Sequence, residues 1–113
     1  MGWSVYYKLE RDTPLTESEQ QRLTAHVAAY ADHPWERESF QLSFPTDGSC
    51  VARGFTKPPG ETDHDDWRVL LRAITQLLTM IDGATLTVGD DYDCVYWDDG
   101  AQAYANGDVD GSP

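Results

Sequence analysis

The sequence predicts a single α+β domain, a two-layer sandwich with an antiparallel sheet on one side and two helices on the other. Three observations carry this. Short segments of two-residue apolar period alternate with two segments of helical period, Asp47-Gly48 sits between two alternating runs, and prolines and glycines fall at the junctions.

Residues 3–11 open the chain with Trp3, Val5, Tyr7 and Leu9 on one face and Ser4, Tyr6, Lys8 and Glu10 on the other, the pattern of a half-buried strand. Asp12-Thr13-Pro14 ends it. Thr16-Glu17-Ser18-Glu19 then has the T-x-x-E form of a capping box, in which the Thr16 hydroxyl and the Glu19 carboxylate satisfy amide donors at a helix start. The helix is expected to run to about Ala31, packing Leu23, Val27, Tyr30 and Ala31 on one side, and to stop at Asp32-His33-Pro34.

Ser39–Phe44, with Phe40, Leu42 and Phe44 pointing one way, reads as a second strand. Asp47-Gly48 is a hairpin turn signal, and Cys50–Thr56 is the return strand. Gly54 within it either allows close packing of a helix over the sheet or marks a bulge. Lys57-Pro58-Pro59-Gly60 is an exit loop, and Glu61–Asp66 supplies caps and negative charge for a second helix. Trp67, Leu70, Leu71, Ile74, Leu77, Leu78 and Ile81 form its buried stripe, and Gly83 closes it in the left-handed conformation. Residues 85–88 and 92–97 read as two strands joined by Gly89-Asp90-Asp91, or as one long bulged strand. Residues 1–104 are thus expected to form the domain and residues 105–113 a flexible acidic tail.

The order strand, helix, strand, strand, helix, strand is the split βαβ pattern (βαββαβ) of the ferredoxin-like sandwich, with room for an extra C-terminal strand. Right-handed crossovers place the first and third strands side by side at its centre. Because this architecture serves many functions, function has to be read from particular residues.

The chain has 113 residues and a net charge of −12, from 20 acids and 8 bases. So negative a surface repels phosphate backbones and anionic lipid headgroups, which argues against direct nucleic-acid or membrane binding. No run reaches the ~18 apolar residues of a membrane span, and the N-terminus lacks the basic and apolar regions of a signal peptide. A cytoplasmic location is expected. Cys50 and Cys94 lack the spacing of a zinc or redox motif and read as small buried thiols.

Catalytic and cofactor signatures are missing. Glu61, Asp63, His64, Asp65 and Asp66 include metal-ligand types, yet consecutive residues on a first helical turn splay apart, and capping accounts for them better. Asn106–Gly111 begins like a calcium loop but the chain ends before the bidentate acid such a loop needs. His26, His33 and His64 are scattered, and Lys57-Pro58-Pro59-Gly60 lacks the free amides of a phosphate loop. No metal, cofactor or catalytic residue is assigned.

Charge geography is more informative. Residues 57–113 carry −9 of the −12, and after Arg72 there is no base at all. Asp90, Asp91, Asp93, Asp98 and Asp99 interleave with Tyr92, Tyr96 and Trp97, a composition in which rings supply contact area and acids steer a cationic partner. Unlike the acids at the second helix start, these aspartates have no capping duty visible in the sequence. Aspartates guarding a strand edge against aggregation, with Trp97 or Tyr96 facing the core, would give the same pattern.

A short acidic α+β chain without catalytic residues resembles, in size and charge, bacterial immunity proteins that neutralise a cognate toxin, and nucleic-acid-mimicking inhibitors. That resemblance implies a non-enzymatic domain whose acidic C-terminal segment meets a basic protein. The alternative is a small enzyme or ligand binder using the open sheet face, where Tyr6, Lys8, Arg53 and Tyr96 are candidates. In a third arrangement that face is covered by a second copy as a homodimer.

Overall fold

The computed structural model describes residues 4–35, 39–45, 48–57, 64–91 and 95–106, with the backbone alone for residues 64–66 and 106. The N-terminal period-two run becomes the central strand. Strand β1 (Val5–Glu10) is flanked by β2 (Cys50–Thr56) and β3 (Thr85–Asp90), both antiparallel to it, in a three-stranded sheet ordered β2-β1-β3. Val5, Tyr7 and Leu9 are buried on its inner face, while Tyr6 and Lys8 are exposed on its outer one.

Two helices cover the inner face. Helix α1 (Glu17–Tyr30) begins with the complete capping box, the Thr16 hydroxyl accepting from the Glu19 amide at 3.1 Å and the Glu19 carboxylate accepting from the Thr16 amide at 2.9 Å. Helix α2 (His64–Gln76) tightens into a 3₁₀ turn at Leu77–Thr79, and Gly83 follows with φ +76°. Trp67, Leu70, Leu71, Ala73, Ile74, Leu77 and Ile81 from this segment join β1, Leu23 and Phe40 in one buried core. Each large side chain so buried contributes about 1.5–3 kcal/mol.

The order is not a strict ferredoxin-like βαββαβ. Residues 39–45 do not form the expected second strand; their only strand-like pairing is a bridge between Ser43 and Arg53. Gly54 explains why. It stands opposite Tyr7, and a Cβ built on it would lie 2.6 Å from the Tyr7 ring and still closer to the Gln41 carbonyl. Without that Cβ, the chain climbs onto the inner face of the sheet. Phe40 stacks on Tyr7 with ring centroids 5.3 Å apart and meets the edges of His26 and Tyr30. The Gln41 amide donates to the Tyr7 hydroxyl at 3.1 Å, and the Tyr7 and Thr56 hydroxyls lie 2.7 Å apart. Because the Thr56 hydroxyl donates to the Ser39 carbonyl at 3.1 Å, Tyr7 donates to Thr56. Close packing over Gly54 is therefore what the glycine serves, but the packed element is the loop carrying Gln41 and not the expected helix.

Of the expected strand 92–97, or the bulged continuation of 85–88, residues 92–94 lie outside the described residues, and among the described ones no strand pairing joins it to residues 85–88. Gly89 and Asp90 belong to β3 rather than to a turn, and β4 (Val95–Asp98) pairs instead with β5 (Ala103–Asn106), a strand the sequence reading did not contain. Together they make a separate two-stranded sheet. The remainder of the expected tail, residues 107–113, lies outside the described residues.

Arg11 ties the elements together at one end of the sheet. Its guanidinium donates to both carboxylate oxygens of Glu19, at 2.9 and 2.7 Å, to the carbonyls of Thr13 and Pro14, and to the carbonyl of Asp82 beyond the 3₁₀ turn. The Arg11 hydrogen bonds, helped by the Thr16 amide, hold the Glu19 carboxyl down to about 2. Among the described residues no helix is long and apolar enough to cross a membrane.

Two measurements check this account. Gly54→Ala is expected to lower stability by about 3 kcal/mol in urea unfolding, since backbone rather than a flexible side chain must move; a cost under about 0.5 kcal/mol would contradict the packing. Glu19 ionises more readily folded than unfolded, so its contribution is complete above an unfolded value of about 4.3 and disappears as pH falls through about 2. Glu19→Gln retains an N3 acceptor for the capping box, so the stability gap to the parent isolates the charge. That gap should be widest above about pH 5 and close towards pH 2; a pH-independent gap contradicts it.

Candidate functional site

Two surfaces carry unusual chemistry, the acidic C-terminal hairpin and the open face of the main sheet. Of the residues expected in the first, the structure places six; Tyr92 and Asp93, like Cys94, lie outside the described residues.

The hairpin is anchored at three points. At the end of β3, the buried Asp90 accepts from the Val95 amide at 2.9 Å, which sets the path from the main sheet into β4. Asp91 turns back to β1, accepting from the Ser4 amide at 3.0 Å and from the Tyr6 hydroxyl at 2.9 Å. On the other strand, the Tyr104 amide donates at 3.0 Å to the Thr75 hydroxyl, itself donating to the Leu71 carbonyl of α2. This seats β5 on the helix layer.

The connecting turn is built from the aspartates. Asp98 accepts from the amides of Gly100 and Ala101, at 3.0 and 3.3 Å, and Gln102 takes the left-handed conformation at φ +53°. Asp99 accepts from the Trp97 indole at 2.8 Å. Trp97 stands directly opposite Tyr104 with their rings edge to face at 5.2 Å, and burial pushes the Tyr104 hydroxyl up from its ordinary value. Tyr96, on the opposite side of the strand, is 48% exposed and Trp97 37%.

The sequence reading gave these aspartates no local duty, and this is corrected. Asp90, Asp91, Asp98 and Asp99 each accept a hydrogen bond that holds the hairpin or its turn. Asp91 and Asp99 are exposed and Asp98 half-buried while doing so. Sequence alone hid these duties because four of the six donors come from residues whose position depends on the hairpin itself.

On the open face, Lys8 and Arg53 stand directly opposite one another, and Tyr6 opposite Phe55. Arg53 shares sequence parity with the buried Val51, yet points outward. A bulge resolves this: Leu9 pairs with Ala52 but Glu10 with Cys50, so Val51 is an extra residue and both Val51 and Ala52 turn inward. Tyr6, Lys8 and Arg53 are brought together as expected, whereas Tyr96 belongs to the other sheet. Phe55 and Thr87 join them, in a depression of about 640 Å³.

The two histidines whose side chains are described, His26 and His33, make structural contacts, and the side chain of His64 lies outside the described residues. The His26 Nε2 donates to the Ala73 carbonyl at 2.9 Å, bridging the two helices, and His33 stacks edge-on against Trp35. Among the described residues no three His, Cys, Asp or Glu side chains are grouped to hold a metal ion; the side chains of the acidic run before α2 lie outside them. Cys50 is a half-buried free thiol.

Compared with protein-family models, with curated proteins and with solved structures, the chain gives no match in any of the three.

Asp91→Ala is expected to cost about 2 kcal/mol, since it leaves the Ser4 amide of a buried residue without its charged acceptor. Tyr6→Phe, which removes one exposed bond to the same carboxylate, should cost about 0.5 kcal/mol or less. Equal losses in urea unfolding would show that Asp91 does not anchor the strand end.

Proposed function

We propose that this chain is a non-catalytic, acidic protein-binding domain of the immunity type, which inhibits a basic partner such as a toxin by offering it the β4–β5 hairpin. The observation that carries the reading is the combination on that hairpin of two exposed aromatic side chains, Tyr96 and Trp97, with the surface carboxylates of Asp98 and Asp99. Aromatic rings supply most of the energy of protein interfaces, and a rim of one charge steers an oppositely charged partner. The turn that holds them is hydrogen-bonded by its own aspartates, so the contact surface is set before a partner arrives. A net charge of −12 extends the steering field beyond the hairpin.

The test is affinity capture from the native cell with the parent chain and a Tyr96→Ala, Trp97→Ala variant, followed by mass spectrometry and kinetics with the captured protein. A basic protein is expected, associating more slowly at high salt and binding the variant at least about tenfold more weakly. An acidic partner, or one indifferent to the hairpin substitutions, would overturn the proposal.

A further inference from the structure

The open face of the sheet presents a second surface of opposite character. Two adjacent rows of its outward residues cross the three strands: Phe55, Tyr6 and Gly89 in one, Arg53, Lys8 and Thr87 in the next. In a chain with only 8 bases among 113 residues, two stand directly opposite each other here. Like charges so placed repel. Lys8 is partly compensated by Glu10 at 3.8 Å. The Arg53 guanidinium has neither a hydrogen bond nor an ion pair among the described residues, and α1 and α2 lie on the far side of the sheet. Asp91, which reaches the Tyr6 hydroxyl, is already engaged by it and by the Ser4 amide.

The neighbouring row gives the place its shape. Tyr6 and Phe55, with ring centroids 6.4 Å apart, are 49% and 47% exposed, a large apolar area in the open. Gly89 beside them has no side chain, and a Cβ there would meet nothing within 4 Å, so the surface is recessed at that end. The depression of about 640 Å³ falls in the size range of small-molecule sites.

We propose that this depression binds a small organic anion with a planar apolar portion, the ring lying on Tyr6 and Phe55 and the carboxylate or sulfonate taken by Arg53 and Lys8. The guanidinium fork matches a two-oxygen anion, and the ammonium adds a point charge. Charge decides against the other occupants. Two copies packed face to face would bring two Arg53–Lys8 pairs together within a dimer of net charge −24, and a basic protein would meet the cations head on.

The probe is 8-anilinonaphthalene-1-sulfonate, with its neutral counterpart N-phenyl-1-naphthylamine as control, followed by fluorescence titration of the intact chain. The sulfonate is expected to bind with 1:1 stoichiometry, more weakly as salt rises, and about tenfold more weakly to Arg53→Gln. The neutral dye should bind parent and variant alike. Because Arg53→Gln removes a like-charge pair, its urea midpoint should equal or exceed that of the parent, which separates loss of binding from loss of fold. A second variant, Thr87→Glu, sets a carboxylate beside Lys8 and should abolish sulfonate binding while the chain stays folded. Sulfonate binding unaltered by both substitutions, or a dimer in sedimentation that sheds the dye as it forms, overturns the proposal.

Discussion

A relay of hydrogen bonds across the missing side chain of Gly54 governs the arrangement of this protein. The Gln41 amide donates to Tyr7, Tyr7 to Thr56, and Thr56 to the Ser39 carbonyl, all at the inner face of the sheet. Buried hydroxyls left unpaired would each cost on the order of 1–3 kcal/mol, so the loop and the sheet satisfy one another or neither is stable where it is. With residues 39–41 drawn inward, β2 is left with a single bridge on its outer edge. The sheet is consequently three strands wide, and its open face is narrow enough for one side chain per strand to define each row across it.

The aspartates show how one residue type answers two demands. Asp90, Asp91 and Asp98 accept backbone amides, a task at which Asn would serve nearly as well in several of these places, and Asp99 accepts an indole. Structural need accounts for an acceptor at each site. It does not account for the choice of a charged acceptor throughout a segment that holds no base after Arg72. Mutual repulsion of these carboxylates is a standing cost, and attraction to a cationic surface is the return that would justify it.

What was legible in the sequence had a local cause. The capping box of α1, the buried stripe of α2, the left-handed Gly83 and the inward residues of β1 all follow from neighbours three or four positions away or from strict alternation, and they stand where they were expected except for Leu78, which the 3₁₀ turn leaves exposed. The adjacency of β1 and β2 followed from crossover handedness. The misreadings share a different origin. Ser39–Phe44 alternates like a strand, but its apolar residues are wanted over Tyr7, a contact 33 positions distant between Tyr7 and Phe40. Strand β5 is Ala-Tyr-Ala-Asn, without the branched residues that announce a strand, and it pairs because Trp97 and Thr75 give Tyr104 a place to sit. Of the hairpin surface, the interleaving of rings and acids was legible, whereas the exposure of Tyr96 and Trp97 and the duties of the acids depended on the strand pairing and on contacts such as Asp91 with Ser4. On the open face the bulge at Val51 decided the outcome, and a one-residue slip leaves no mark in a composition of apolar residues.

The small β4–β5 sheet has one more implication. A ribbon of two strands is scarcely stable by itself in water, and this one borrows its stability from α2 through Thr75 and from β3 through Asp90. It is thus a unit that can open without unfolding the core, and its amides should exchange with solvent ahead of those of β1. A molecule that grips the hairpin in this set form would also hold it against the core, so contacts to α2 that the partner never touches would bear on the tightness of the complex.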